Sequence, residues 1–79
     1  MIRYIAYKNI KSETFFVNNI DKDGKVTVIP KTNIQHIDTL RCQWNKAKDA
    51  KEALAGKNYK VISINKAQEI LDKQEGFQF

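Results

Sequence analysis

The chain has 79 residues, of which 42% are apolar and 29% charged, and it carries a net charge of +5 at pH 7. This length and composition predict one folded domain over residues 1–79, and they exclude a disordered or fibrous chain. No apolar run approaches the roughly 20 residues of a membrane-spanning helix, and the N-terminal residues lack the apolar stretch of a signal peptide.

The first half of the chain predicts three strands. Residues 2–8 alternate in a way that gives a strand apolar character on both faces, and a polar turn follows at residues 9–12. Residues 14–20 are rich in aromatic and β-branched types and predict a second strand. The Asp21–Gly24 sequence ends in Asp-Gly, which strongly favours a hairpin turn. Residues 25–29 predict a third strand, which Pro30 ends.

Residues 31–40 allow two interpretations. Ile34, Ile37 and Leu40 are spaced by three, as on a helix, but they also fit a turn at residues 31–33 and a short strand near residues 35–39. We favour the strand, because Asp38 and Thr39 are good N-cap residues for a helix that begins after them. That helix is predicted over residues 40–55, with Gly56 ending it in a left-handed conformation.

The last part of the chain predicts a strand and a helix. Residues 59–64 read as a buried strand, and Asn65 as the N-cap of a helix over residues 66–75. Ala67, Ile70 and Leu71 would form the inner face of this helix, and Glu69 and Lys73 an ion pair one turn apart. Gly76 would end the helix, with Phe77 folding back onto Leu71 and residues 77–79 held against the domain.

The predicted order is therefore β-β-β-(β)-α-β-α. This is an α+β fold, an antiparallel meander of three to five strands with two helices packed on one face. A chain of this length buries a small core, so a homodimer is compatible with the sequence.

Three motifs resemble sites without completing them. Asn19, Asp21, Asp23 and Gly24 match the first half of a calcium loop, but Pro30 stands where a bidentate glutamate is needed. His36 and Cys42 are too few for a zinc site, and a catalytic pair would need a third group to orient it. Trp44 falls on the apolar stripe of the predicted helix, which indicates a core residue. We therefore expect no metal and no cofactor.

The remaining composition argues against catalysis. Three glycines leave no phosphate-binding loop, and most of the nine acidic residues stand beside lysines in solvated positions. A non-enzymatic protein is therefore expected. The single cysteine excludes an internal disulfide and favours a cytoplasmic, reducing setting.

The basic residues indicate a nucleic-acid partner that is bound mainly through its backbone. Twelve of the fourteen cationic residues are lysines, which act as point charges, whereas arginine is the residue that reads base edges. The predicted first strand also combines cations with aromatics, as single-strand RNA binders do, and Phe15 or Phe16 opposes it. The predicted surface, for RNA rather than DNA and with low sequence specificity, consists of Arg3, Tyr7, Lys8, Lys11, Lys25 and Lys60.

The sequence leaves one alternative open. A small basic protein with exposed aromatic residues is also typical of a protein antagonist or inhibitor that docks on an acidic surface. The Lys-, Asn- and Ile-rich composition would suit a phage or mobile-element accessory protein acting on a larger host complex such as a nuclease.

Overall fold

The computed structural model describes residues 2–73. Four strands, β1 (Tyr4–Ile10), β2 (Glu13–Ile20), β3 (Val26–Pro30) and β4 (Lys60–Ser63), form one antiparallel sheet in the order β3-β2-β1-β4. Two helices, α1 (Ala47–Ala53) and α2 (Ile64–Asp72), complete an α+β fold, which confirms the predicted class. Within residues 2–73 neither helix has the length and apolar character needed to cross a bilayer.

The sheet is covered on both faces. Ile5, Tyr7 and Phe16 pack with residues of α2 in one buried cluster, whereas Ala6 and Val17 pack with Leu54, directly after α1, in a second cluster. Because successive side chains of a strand point to opposite faces, the two clusters lie on opposite sides of the sheet. We call them face 1 and face 2. The layering thus differs from the predicted arrangement of both helices on one face.

Residues 31–40 form neither the strand favoured above nor the alternative helix. Two 3₁₀ turns, Lys31–Asn33 and Ile37–Thr39, carry the chain across face 1. Ile34, Ile37 and Leu40 are all buried in the face 1 cluster, since a spacing of three suits 3₁₀ geometry. The Thr39 hydroxyl donates to the carbonyl of His36, so it does not cap a following helix.

The helix predicted over residues 40–55 begins only at Ala47. Trp44 instead pairs with the start of β1, since its N–H and C=O both bond to Tyr4, with N···O distances of 2.9 and 2.7 Å. Gln43 Nε2 donates to the carbonyl of Leu40, and the Arg41 N–H donates to Asn18 Oδ1. These partners satisfy the backbone groups without a helix, so helical propensity does not decide the structure here. Trp44 packs against the face 2 cluster.

The helix α2 begins earlier than predicted. The Ser63 hydroxyl, not Asn65, caps it by accepting the Lys66 N–H at 3.2 Å. Ala67 and Ile70 are buried as expected, and Leu71 is partly buried against them. Glu69 and Lys73 form the predicted ion pair, and the hydrogen bond from Lys73 lowers the pKa of Glu69. The predicted helix end at Glu75, the Gly76 cap and the Phe77 contact lie outside the described residues.

The turn between β2 and β3 is the predicted hairpin turn. Asp21 Oδ1 accepts the backbone N–H groups of Asp23 and Lys25 at 2.9 and 2.8 Å. Gly24 adopts φ +81°, a conformation that its missing Cβ makes accessible. The Asp21 oxygen that resembles a calcium ligand is thus engaged in holding the turn.

The turn between β1 and β2 contains only two residues, both with left-handed backbone. Lys11 has φ +50° and Ser12 has φ +70°, while Ile10 pairs with Glu13. Two-residue hairpin turns of this kind favour Asn-Gly, because side chains with a Cβ are strained at positive φ. A hydrogen bond of 2.6 Å from the Thr14 hydroxyl to Asn9 Oδ1 links the two strands beside the turn.

This strain predicts the effect of glycine at position 12. We expect Ser12→Gly to raise the free energy of unfolding by about 1 kcal/mol, because glycine relieves the positive φ. Thr27→Gly is the matched control, since Thr27 is an exposed residue in the extended strand β3. There glycine should lower stability by about 0.5–1 kcal/mol. Urea unfolding followed by circular dichroism measures both, and equal losses in the two variants would contradict strain at the turn.

Candidate nucleic-acid interface

The sheet distributes the six predicted site residues over three places. Lys8, Lys11 and Lys60 lie toward the end of the sheet that carries the β1–β2 turn, which we call the turn end. Arg3 and Lys25 lie toward the opposite end, since β1 begins after Arg3 and Lys25 follows the β2–β3 turn. Tyr7 lies inside the protein. The predicted residues therefore do not form one continuous surface.

The predicted surface is wrong at Tyr7. Its side chain is fully buried in the face 1 cluster, beside its cross-strand partner Phe16. A ring in this position cannot stack on a ligand. The prediction placed Tyr7 on the surface because it stands among the cations of the first strand, but helix α2 and residues 34–40 cover this face. Burial also raises the pKa of the Tyr7 phenol above its ordinary value of 10.0.

Arg3 is held by the chain that crosses the end of the sheet. Its guanidinium Nη1 donates to Gln43 Oε1 at 3.1 Å, and Gln43 Nε2 donates in turn to the carbonyl oxygens of Asp38 and Leu40. This arrangement gives Arg3 a structural contact. Because it lies five residues from Lys8 along an extended strand, the two cationic groups start from backbone positions about 16 Å apart.

The sequence predicts a surface that combines cations with aromatic rings. In the structure, Lys8 is the cation that lies next to aromatic residues. It lies on β1 on the same face as Ala6, which is face 2, and its Nζ is 5.0 Å from the centre of the Tyr59 ring. Phe15 of β2 is its cross-strand partner on the other side. Both aromatic residues are partly exposed. A lysine between two rings brings a positive charge and two flat apolar surfaces together on the sheet.

Tyr59, Lys8 and Phe15 belong to a row of residues that crosses the sheet to its β3 edge. Phe15 pairs with Pro30 of β3, so Tyr59, Lys8, Phe15 and Pro30 occupy neighbouring positions on successive strands. At a strand spacing of about 4.8 Å this row is about 14 Å long. We call it the Lys8 row. Ile10, which is 44% exposed, is the next residue of β1 on the same face and extends the apolar surface beyond Lys8.

Further lysines surround the Lys8 row. Lys11 lies at the tip of the β1–β2 turn, Lys31 directly follows Pro30, and Lys60 pairs with Tyr7 and so extends from face 1 at the β4 edge. Glu13, the partner of Ile10, is the acidic residue of the same strand pair. The turn end of the sheet therefore carries net positive charge.

Within residues 2–73, the His, Cys, Asp and Glu residues do not form a metal site, and Cys42 is not placed as a nucleophile. In the region from Ile2 to Lys73, no three His, Cys, Asp or Glu side chains are placed to hold one metal ion. Cys42 is partly buried against the face 2 cluster, and burial raises the pKa of its thiol. It does not begin a helix, so no helix N-terminus activates it as a nucleophile.

Comparison with models of known protein families, with curated proteins and with solved structures finds no match to this chain. The residues of this protein and their geometry therefore supply the evidence for its function.

Sequence reasoning found part of the Lys8 row and missed the rest. Lys8 and an opposing phenylalanine, either Phe15 or Phe16, were expected from the sequence, and the register selects Phe15. Tyr59 was not, because its position depends on β4 pairing with β1, and strands separated by about fifty residues leave no local signal of their register. The alternation of Tyr59 with Val61 could have indicated the face only after that pairing was known.

The buried phenol of Tyr7 predicts a loss of stability at alkaline pH. Because the folded-state pKa is above 10.0, the unfolded chain loses this proton first as the pH rises. The stabilisation is therefore complete below pH 10 and is lost as the pH passes through the folded-state pKa. Tyr7→Phe should unfold at higher pH than the wild type, as measured by circular dichroism between pH 8 and 12. Tyr59→Phe is the control, and an unchanged alkaline midpoint in Tyr7→Phe would contradict the prediction.

Proposed function

We propose that this protein binds single-stranded nucleic acid, RNA rather than DNA, through the Lys8 row and without enzymatic activity. The observation that supports this best is the position of Lys8, whose ammonium lies over the Tyr59 ring and whose cross-strand partner is Phe15, on an open part of face 2. The lone cysteine agrees with the proposed reducing, cytoplasmic setting.

The two rings suit unpaired bases. Tyr59 and Phe15 flank β1 on either side, so their backbone positions are about 10 Å apart. A base in a duplex has its faces covered by its neighbours, whereas a base in a single strand can stack on an aromatic side chain. Each such stacking contact contributes about 1–3 kcal/mol and accepts any base, because every base has a flat aromatic face.

The lysines suit the phosphates that connect those bases. Lys8 lies on β1 between the strand positions of the two aromatic residues, Lys11 lies at the tip of the neighbouring turn, and Lys60 extends from face 1 at the β4 edge. Ammonium groups neutralise phosphate without reading the sequence, so low specificity follows from the use of lysine. Arg3 and Lys25 lie toward the other end of the sheet, where they would add general attraction for a polyanion.

A protein antagonist remains the competing proposal. Ile10, Phe15 and Tyr59 surrounded by lysines would also fit an acidic protein surface, with the rings as the main contacts. The spacing of a cation between two rings favours nucleic acid, since a protein partner needs no such alternation.

The salt dependence of binding tests the proposal. Fluorescence anisotropy with a labelled single-stranded RNA decamer should show affinity that falls by about 0.7 log units per log unit of salt for each phosphate contacted. With two or three contacts the slope should be about −1.4 to −2.1. If no RNA or DNA decamer binds at low salt, nucleic-acid binding is wrong. Capture of a protein from nuclease-treated lysate would then favour the antagonist.

Substitutions in the Lys8 row separate specific binding from general attraction. Phe15→Leu and Tyr59→Leu keep apolar side chains but remove the rings, so each should weaken binding about five- to fifty-fold, within the range of one stacked base. Lys8→Ala should weaken binding and reduce the magnitude of the salt slope by about 0.7. Lys66→Ala, which removes the same charge from the exposed side of α2, is the control. Equal losses in Lys8→Ala and Lys66→Ala would show that only net charge matters.

A further inference from the structure

A notch lies at the end of the Lys8 row, beside Phe15. It has a volume of about 190 Å³ and lies between the start of β2 and the chain that follows β3. Its walls contain three hydroxyl groups, one carboxylate, one ammonium and one proline ring, contributed by Ser12, Glu13, Thr14, Pro30, Lys31 and Thr32. Pro30, which belongs to both the row and the notch, makes the two continuous.

The polar groups of the notch suit a neutral sugar better than a phosphate. The Glu13 carboxylate accepts hydrogen bonds and repels an anion, and it opposes the attraction of the Lys31 ammonium for phosphate. Hydroxyl groups both donate and accept. A ribose 2′-hydroxyl also does both, so it could donate to the carboxylate while accepting from a hydroxyl of the wall.

The hydroxyl groups of Ser12 and Thr32 are open to a ligand. Both residues are exposed, and neither side chain forms a hydrogen bond within residues 2–73. The Thr14 hydroxyl differs, since it donates to Asn9 Oδ1. The left-handed backbone of Ser12 turns the chain sharply at the rim of the notch.

The position of Glu13 connects the notch with the stacked base. Glu13 and Phe15 are two residues apart on β2, so their side chains lie on the same face of the sheet. The sugar of a nucleotide whose base stacks on Phe15 would therefore lie close to the Glu13 carboxylate.

We infer that the notch formed by Ser12, Glu13 and Thr32 binds the ribose 2′-hydroxyl of the nucleotide stacked on Phe15 and thereby selects RNA over DNA. This inference rests on the proposed function, because it requires a strand bound along the Lys8 row. It adds a chemical reason for the RNA preference, since the 2′-hydroxyl is the group by which a protein distinguishes RNA from DNA.

The test compares two ligands that differ only at that hydroxyl. Labelled decamers of uridylate and of deoxyuridylate carry the same bases and the same charge. Fluorescence anisotropy at one salt concentration gives the ratio of their affinities. The wild type should bind the ribose decamer about three- to ten-fold more tightly, as expected for one or two added hydrogen bonds.

Substitutions in the notch should change the ratio of the affinities for the ribose and deoxyribose decamers without weakening the binding of both. Glu13→Ala removes both the acceptor oxygens and the negative charge, so it should bring the ratio close to one while leaving or improving affinity for the deoxyribose decamer. Thr32→Ala, at an exposed residue, should also reduce the ratio. Lys8→Ala is the contrasting variant and should weaken both ligands equally, with the ratio retained.

The outcomes are distinguishable. If the wild type binds both decamers equally, or if Glu13→Ala and Thr32→Ala leave a preference for RNA intact, the ribose site is wrong while the proposed function stands. If the wild type binds neither decamer, the proposed function fails and the ribose site fails with it. A ratio that falls in the notch variants and persists in Lys8→Ala supports the inference.

Discussion

The pairing of β4 with β1 is the constraint on which the other features depend. It places β1 in the interior of the sheet, with β2 on one side and β4 on the other. The chain must then travel from the β3 edge to the β4 edge. It crosses face 1 through residues 31–40, pairs with Tyr4 at Trp44 and returns over face 2 through α1. This segment covers face 2 and, together with α2, face 1, which explains why Ile5, Ala6 and Tyr7 are fully buried in succession.

The same pairing creates the candidate site. Tyr59 reaches Lys8 only because β4 lies beside β1, and Phe15 faces Lys8 from the other side because of the β1–β2 hairpin. The segment that covers face 2 ends with Leu54, against Ala6 and Val17. Beyond Ala6 on the same face, Lys8 and then Ile10 come progressively closer to solvent. The open part of the face is therefore the part that neither α1 nor the Trp44 segment reaches.

The sequence pattern predicted correctly those elements that depend only on residues close together in the chain. Three strands, the Asp21–Gly24 turn, the inner face of α2 and the Glu69–Lys73 pair follow from alternation, turn residues and helical spacing. The interpretation was wrong where distant partners decide the structure. Trp44 pairs with Tyr4, and Gln43 and Asn18 bond to backbone groups around it, so the helix starts late. Tyr7 was misplaced for a related reason, since the segments that cover its face, residues 34–40 and α2, lie at least 27 positions away along the chain.

The lysines at the two sheet edges have a consequence for the behaviour of the chain in concentrated solution. Among residues 2–73, no strand pairs with the outer side of β3 or of β4, and such open strands can recruit other chains and start aggregation. Lys25 and Lys31 flank β3, Pro30 ends it without an N–H group, and Lys60 begins the four-residue β4. Approach of a second copy would bring like charges together at either edge. These residues therefore protect the sheet against growth by strand addition, whatever ligand the turn end binds.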